Sequence, residues 1–475
     1  MNDSTITAVA TPPGSGGIGI IKISGKDALS IAESIFIKKQ RKNLSEENER
    51  NKYFFNERKK IESHKLYLGH IVDKEKGKKI DEVLLAVMKA PNSYTREDVV
   101  EINAHSGYIA LNEILKLVIK KGARLAQPGE FTKRAFINGR IDLTQAEAVI
   151  DIINARTEKS LEIASSQIEG DLKNRISSIR DSLIKLLSEI EAEIDFSDEE
   201  IEDLDNDDMI ARIQKEGIKP LKELLRGYEK GHVFKEGIRL VVAGKPNVGK
   251  SSLMNRMANK ERAIVTALPG TTRDIIEETI NINGIPAIIS DTAGLHNSKD
   301  PVEVLGIEKA YEQITISDIV LFMIDASLEL TKEDFKILKD LKHKEKIIII
   351  NKIDLVNKNY VFKMPESWKG IETVKISALY NKGIDKLNSV VTKIATDGLS
   401  INSNSSIIPN MRHKIEIEKC LETASRTKKG LKNETSFELI AIDLKEAIDS
   451  LGEIIGVSIK EEILDKIFSR FCIGK

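Results

Sequence analysis

Apolar positions change period twice along the chain. Between residues 4 and 120, short β-rich runs (Thr5 to Val9, Ile18 to Ile23, Val83 to Met88, Val99 to Asn103) are mixed with two segments of helical spacing, Ala28 to Phe36 and Ile109 to Lys120. That mixture predicts a small α+β domain. The charged, glycine-free stretch from Lys38 to Lys60 predicts a surface loop or frayed helix. From Thr132 to about Leu225 strand signals almost vanish. Apolar residues there recur every three or four positions, as in Ile150, Ile153, Leu161, Ile168, Leu172, Ile176, Ile179, Leu183 and Leu187, the pattern of a helical bundle. After Lys235 strands alternate with helices, and from about Thr392 to Phe471 the helical pattern returns. A helical segment on each side of an α/β unit predicts one bundle with a domain inserted in it, an arrangement that close termini make tolerable. The expected division is residues 1–122, N-terminal α+β domain; 123–234, first helical part; 235–395, α/β domain; and 396–475, second helical part.

At 475 residues the chain exceeds one core and has room for two or three domains. Lys and Arg number 73 against 74 Asp and Glu, so no global charge draws the chain to nucleic acid or a membrane surface, and any RNA contact must be local or shared with a partner. The acidic run from Glu189 to Asp208 reads as a solvated helix face and loop. Two cysteines, Cys420 and Cys472, give no disulfide framework and suit a reducing compartment. Met1-Asn2-Asp3-Ser4 lacks a signal-peptide start, and apolar stretches such as Ile347 to Ile350 have strand length, so no membrane association and a cytoplasmic location are expected. Cys472-Ile473-Gly474-Lys475 fits a prenylation signal poorly because of Gly474 and the lysine.

Candidate chemistry concentrates in the α/β segment. Ile238 to Ala243 has the pattern of a buried strand and leads into Gly244-Lys245-Pro246-Asn247-Val248-Gly249-Lys250-Ser251, with a helix beginning near Ser252. This is a full phosphate-loop pattern in its strand-loop-helix setting. Glycines let backbone N–H groups close around phosphate oxygens at a helix N-terminus, where the macrodipole also favours negative charge. Lys250 is expected to neutralise the β- and γ-phosphates and Ser251 to ligate Mg2+. Downstream, Asp291-Thr292-Ala293-Gly294 follows the strand Ile285 to Ser290, bringing a carboxylate toward the magnesium and a glycine N–H toward the γ-phosphate. Asn351-Lys352-Ile353-Asp354 ends the strand Ile347 to Ile350, a setting for a base-binding loop. Asp354 can accept from guanine N1–H and the exocyclic amine, an arrangement of donors adenine lacks, so GTP is the expected substrate. Ser377-Ala378-Leu379, after the strand Thr373 to Ile376, would cover the base from the far side.

Between these loops lies Ile264-Val265-Thr266-Ala267-Leu268-Pro269-Gly270-Thr271-Thr272-Arg273-Asp274, the place of a first switch, where Thr272 is expected to complete magnesium coordination. Leu295 follows Gly294 where small GTPases commonly carry a water-orienting glutamine, so catalysis must be arranged another way. From the residues alone Asp300, Glu303 and Glu308 are equal candidates.

The chain resembles the tRNA modification GTPase MnmE (TrmE) family over nearly its whole length. Beyond the nucleotide motifs, the resemblance rests on Ala10-Thr11-Pro12-Pro13-Gly14, on Pro128-Gly129-Glu130-Phe131-Thr132-Lys133-Arg134-Ala135-Phe136, on Asp142-Leu143-Thr144-Gln145-Ala146-Glu147 and on Phe471-Cys472-Ile473-Gly474-Lys475. It implies a multidomain α/β chain: an N-terminal α+β folate-binding-like domain, a discontinuous α-helical bundle and an inserted P-loop GTPase domain of Ras-like α/β fold. It implies a homodimer formed through the N-terminal domain, and a flavoprotein partner, MnmG or GidA, in a heterotetramer-type complex. The implied reaction adds a carboxymethylaminomethyl or aminomethyl group at carbon 5 of the wobble uridine of certain tRNAs. Its one-carbon unit would come from (6S)-5-formyl-tetrahydrofolate or a related folate.

The resemblance also carries residues. K+ would stand in for an arginine finger, held by Asn247, Thr266, the backbone oxygen of Leu268, and Thr271, oxygen ligands that suit a hard cation. Glu303 is selected as the general base or water-positioning acid. The folate positions correspond to Lys22, Glu101, Arg140 and Lys475. Lys22 stands where the family pattern has arginine and Arg140 where it has lysine; both keep the charge that folate carboxylates want, with different geometry. The Cys-x-Gly-Lys ending assigns Cys472 a part in tRNA modification.

Other signals carry less. Gly14-Ser15-Gly16-Gly17-Ile18-Gly19 matches the dinucleotide fingerprint but leads into a strand rather than a helix. His64, His70, His105 and His296 show no metal-ligand spacing. Cys420 reads as packing, whereas Cys472 has Arg470 and Lys475 close by, which could stabilise a thiolate. A rival reading is a ribosome- or RNA-associated GTPase switch without modification chemistry of its own, which would be expected to carry a basic RNA-binding module that is not evident here. A third is a folate-dependent aminomethyl transferase whose GTPase is purely regulatory.

Overall fold

The computed structural model describes residues 4–12, 14, 16–39, 61–195, 205–261, 278–291, 312–357, 362–398 and 407–475. The chain divides into two compact units. One takes the residues up to Glu147 together with Ser458–Lys475, and the other lies between Ala148 and Val457.

In the first unit β1 (Ile6–Val9), β2 (Ile18–Ser24), β3 (Phe36–Lys38), β4 (Lys65–Asp73), β5 (Lys78–Met88), β6 (Val99–His105) and β7 (Arg124–Leu125) form one sheet in the order β3-β4-β5-β6-β2-β1-β7. Neighbours are antiparallel except β1 and β7. Two helices, α1 (Ala28–Ile35) and α2 (Tyr108–Lys120), bury Ile31 and Ile35, and Leu111, Ile114 and Val118, at helical spacing. These side chains join Ile21, Ile23, Leu85 and Ile102 of the strands in one core. Ile18 opens a strand and not a helix, so the glycine-rich run before it lacks the setting of a dinucleotide loop.

Two local readings needed tertiary information. The helix expected to reach Phe36 stops at Ile35, because Phe36 pairs with Ile71 and starts β3. Strand β4 shows no polar alternation, since Leu66 and Leu68 are exposed while Tyr67 and Ile71 are buried. The unit also extends past the expected boundary at 122. Phe131 of α3 (Glu130–Ile137) is fully buried with Ile6 and Ala8 of β1. The C-terminal helix (Glu461–Phe468) packs on α3, Phe468 lying 6.4 Å from the Phe136 ring and 5.4 Å from that of Phe471. Gly129 has φ 68°, and a Cβ there would come within 2.7 Å of the Phe468 carbonyl oxygen. Only glycine combines that conformation with that approach. The segment from Ser458, expected within a second helical part 396–475, therefore belongs to the first unit.

In the second unit, whose first helix α4 (Leu143–Asn154) contains the division, α5 (Glu158–Glu169), α6 (Asp171–Asp195), α7 (Asn206–Arg212) and α8 (Lys219–Glu236) precede an α/β sheet. Along α6 the buried residues Leu172, Ile176, Ile179, Leu183, Leu186 and Ile190 alternate spacings of four and three, an unbroken apolar stripe. The sheet consists of β8 (Ile238–Ala243), β9 (Glu278–Ile282), β10 (Ile285–Asp291), β11 (Ile319–Asp325), β12 (Glu345–Asn351) and β13 (Thr373–Lys375), in the order β13-β12-β11-β8-β10-β9. It is parallel apart from β9. All of β11 is buried, as a parallel strand covered on both faces should be. Helices α9 (Lys250–Glu261) and α10 (Lys332–Asp340) lie between strands, and α11 (Ile384–Ala395) follows β13.

After the sheet, α12 (Met411–Lys432) and α13 (Phe437–Ile455) return to pack on α6 and α8 in a single core that includes Leu183, Leu221, Ile417, Leu444 and Leu451. The helical bundle is thus discontinuous in sequence. Cys420 lies inside it, its thiol pushed up to about 12 by burial, which fits packing and not reactivity. No helix among the described residues is long and apolar enough to cross a membrane.

Candidate functional site

The phosphate loop leaves the carboxyl end of β8. Gly244 has φ 149°, and a Cβ on it would meet the Met323 carbonyl oxygen at 2.3 Å; Gly249 has φ 104°, and its Cβ would meet Asn351 Nδ2 at 2.3 Å. Both glycines are required by close backbone approach as well as by conformation. Asn247 takes φ 60° and presents an exposed side chain. Helix α9 starts at Lys250, so the first-turn N–H groups around Lys250, Ser251 and Ser252 form an anion site at its positive end. The buried Lys250 ammonium donates to the carbonyl oxygens of Gly244 at 2.8 Å and Lys245 at 3.0 Å. It lies inside the loop that a phosphate would fill.

Asn351, at the end of β12, joins two loops. Its Nδ2 donates to the Val248 carbonyl oxygen at 2.8 Å, and its Oδ1 accepts from the Ala378 N–H at 3.0 Å. Lys352 takes φ 62° with its ammonium 2.7 Å from Asp325 Oδ2. Burial would raise the Asp325 carboxyl, but hydrogen bonds from Lys352 and Ser327 outweigh it and hold the group below the usual carboxylate value. Ile353 opens a short turn, and within it Asp354 Oδ1 accepts from the Ser377 hydroxyl at 2.5 Å. The structure thus brings Asn247 to Ser252, Asn351 to Asp354 and Ser377 to Ala378 together at the carboxyl ends of parallel strands, where α/β sheets bind ligands.

Asp291 ends β10 with its backbone in register with Val242 of β8. Thr292, Ala293 and Gly294, the first switch with Thr266, Ala267, Leu268, Pro269, Gly270, Thr271 and Thr272, and the acids Asp300, Glu303 and Glu308 lie outside the described residues, as does His296. Two residues of this site carry no motif signal. Asp325 secures Lys352, and Arg256 of α9 donates to the carbonyl oxygens of Ala378 at 3.1 Å and Leu379 at 2.7 Å. Their only sequence cues are a carboxylate at a strand end and a helical offset of four from Ser252, both too common to stand out.

A second cluster lies in the first unit. Lys22 of β2 and Glu101 of β6 are cross-strand partners, their charged groups 3.6 Å apart. The Lys22 ammonium sits 5.6 Å from the Tyr94 ring centre and 5.5 Å from that of Phe131, and the Arg140 guanidinium lies 4.7 Å from Tyr94. Arg140 also donates to the Tyr94 carbonyl oxygen at 3.0 Å, and the Tyr94 hydroxyl meets Thr132 Oγ1 at 3.0 Å. Burial holds the Lys22 ammonium below the usual lysine value; Glu101 opposes this and the nearby charge of Lys475 adds to it. Burial likewise raises the Tyr94 hydroxyl. The four residues Lys22, Glu101, Arg140 and Lys475 thus share one neighbourhood around the rings of Phe131, which belongs to a motif quoted above, and Tyr94, which belongs to none.

The last residues are seated there by backbone contacts. The Lys475 oxygen accepts from the Phe131 N–H at 3.2 Å, and Gly474, at φ 94°, would place a Cβ 2.7 Å from the Val9 carbonyl oxygen. Cys472 is exposed, its carbonyl oxygen accepting from the Lys475 N–H at 3.3 Å. Three of the four histidines considered above make polar contacts. His105 Nδ1 lies 2.8 Å from Asp81, His70 Nε2 lies 3.1 Å from Lys79, and His64 Nδ1 lies 2.8 Å from the Ser63 hydroxyl.

A family model described as GTP-binding protein TrmE N-terminus matches residues 5–140, and one described as MnmE helical domain matches residues 143–472. The tRNA modification GTPase MnmE of Carboxydothermus hydrogenoformans is 44% identical over 476 residues, covering 100% of each chain, and that of Clostridioides difficile is 44% identical over 473 residues, covering 100% of this chain and 99% of its own. Among solved structures, a variant of Era from Aquifex aeolicus bound to GDP and AlF4– is 28% identical, covering 39% of this chain and 67% of its own, at a TM-score of 0.28. With two family models spanning the sequence between them and relatives alike over their full length, the chain belongs to the tRNA modification GTPase MnmE family.

Proposed function

We propose that this chain is a GTP-hydrolysing enzyme that works with a flavoprotein partner of the MnmG (GidA) kind at carbon 5 of the wobble uridine in certain tRNAs. It acts as a cytoplasmic homodimer in a heterotetramer-type complex with that partner. The observation that carries the reading is the double hydrogen bond of Asn351, which couples the phosphate loop to the base loops in a single pre-arranged pocket. Lys250 neutralises the transferred phosphate, the first turn of α9 supplies backbone donors, and Asp354 reads guanine N1–H and the exocyclic amine.

The donor set fits the cations the family implies. Ser251 at the head of α9 and Thr272 would hold Mg2+, and exposed Asn247 would join Thr266, Leu268 and Thr271 around K+. When bound, these ions spread the charge that develops on the phosphate oxygens. Glu303 orients the attacking water. In the first unit the chemistry fits a folate such as (6S)-5-formyl-tetrahydrofolate: Glu101 would accept from N–H groups, and Lys22, Arg140 and Lys475 would offer positive charge to carboxylates. When bound, the folate supplies a one-carbon unit. Cys472 stands in the same segment as Lys475 and serves the tRNA modification step.

GTP hydrolysis in potassium and sodium buffers at matched ionic strength, with Glu303→Ala alongside, tests the nucleotide half of this reading. Strong potassium stimulation that the substitution abolishes is the expected result. Equal rates in both salts would leave a GTPase but remove the potassium mechanism, and would favour a binding switch.

A further inference from the structure

We propose that Arg256 is a positioning residue that sets the purine specificity of the nucleotide pocket, by turning the carbonyls of Ala378 and Leu379 away from guanine O6. The inference rests on the guanine-nucleotide reading of that pocket and adds a residue to it.

The guanidinium reaches from α9 to two successive carbonyl oxygens, Nε to Ala378 and Nη2 to Leu379. A planar fork that engages neighbouring carbonyls fixes the orientation of both peptide planes, which a point-charge ammonium would do less well. In a trans peptide the N–H points opposite to the C=O. With the Ala378 carbonyl drawn toward α9, the Leu379 N–H is therefore turned the other way.

Four other N–H groups of this loop are already engaged. The Ser377 N–H and Lys382 N–H each bond the other residue's carbonyl oxygen, at 3.0 and 3.1 Å, the Tyr380 N–H bonds Ser377 Oγ at 3.3 Å, and the Ala378 N–H bonds Asn351. Among the described residues none accepts from the Leu379 N–H. The same Ser377 hydroxyl holds Asp354, so the carboxylate that reads N1–H and the loop that follows it move as one piece. A base seated on Asp354 brings its position-6 substituent beside this loop. Guanine offers an acceptor there, O6, which two inward carbonyls would repel and an inward N–H would bind.

The experiment measures the affinity of full-length protein for GTP and for 6-thioguanosine triphosphate, which keeps N1–H and the amine but replaces O6 with a poor acceptor. Wild type is expected to prefer GTP. Arg256→Met is expected to weaken GTP binding about ten-fold, and to bring the two nucleotides within about two-fold of each other. Its KM rises while kcat at saturation is kept, the signature of lost uniform binding. Arg256→Lys, which keeps the charge but not the fork, regains part of the discrimination, and it carries the test if the methionine variant does not fold.

Equal weakening of both nucleotides would mean a merely structural contact, and unchanged GTP preference in a folded variant would likewise overturn the proposal. Wild-type protein that binds neither nucleotide would instead remove the GTP reading itself, and the inference with it.

Discussion

In the nucleotide pocket the functional side chains, Arg256 of α9 apart, stand within a few residues of the carboxyl end of a parallel strand: Lys250 after β8, Asp325 on β11, Asn351 and Asp354 after β12, Ser377 after β13. Around Tyr94 the plan differs. Lys22 and Glu101 come from mid-strand positions, Phe131 from the head of α3, Arg140 from the turn after it, and Lys475 from the far end of the chain. A strand-end site concentrates its chemistry in short strings of sequence, because one loop must supply several groups to one phosphate or one base. A sheet-face site draws single residues from many segments, because its geometry is set by strand register and by what packs on top. The first plan makes backbone donors the main binding groups; the second relies on side-chain charge and ring faces.

Independent sites should fail independently, and the strongest test of that is Lys250→Ala. Loss of the buried ammonium should lower kcat/KM for GTP by about a thousand-fold or more, while folate binding measured by calorimetry stays at the wild-type level. A parallel loss of folate binding would show that the two plans are coupled. Next in size, Asp354→Asn should weaken GTP binding by about a hundred-fold and admit xanthosine triphosphate, whose base offers an acceptor where guanine offers a donor. Unchanged guanine selectivity would mean that Asp354 does not read the base.

On the other side of the comparison, Tyr94→Leu removes the ring beneath Lys22 and Arg140. Folate affinity should fall about ten-fold, the worth of a partly buried ring and its cation contacts, with GTP hydrolysis untouched. The smallest effect concerns pH. The Lys22 ammonium is held below the usual lysine value by burial, so it loses its charge earlier as pH rises, and carboxylate binding that needs the charged form weakens over that range. Lys22→Arg cannot lose its charge there. A titration of folate affinity should therefore show the alkaline decline in wild type and a flat profile in the arginine variant.

The contrast also explains what could be read from residues alone. Phosphate loop, Asn351 to Asp354 and Ser377 to Ala378 were legible because each is a contiguous string whose strand context can be checked in the same few residues. The bundle stripe of α6 was legible for a similar reason, local periodicity. Tyr94 and Phe131 were not, because nothing near residue 94 says that residues 22 and 140 will face it; that follows from the Lys22 and Glu101 register and from burial of Phe131 against β1. Arg256 and Asp325 escaped for the opposite reason, since they act on loops already identified and look like ordinary helix and strand-end charges. The placement of Ser458–Lys475 with the first unit was illegible for want of any periodic signal that distinguishes one apolar neighbour from another.

That last segment carries a consequence for how the molecule is made. A ribosome emits the seven strands of the first unit early, and their sheet can form while the bundle and the nucleotide domain are still unsynthesised. Yet Gly129 waits for Phe468, and the charge beside Lys22 waits for Lys475. The pocket around Tyr94 is therefore complete only once residues 458–475 have been synthesised, after every loop of the nucleotide pocket, so the two sites of one chain mature in the reverse of the order in which their first residues emerge.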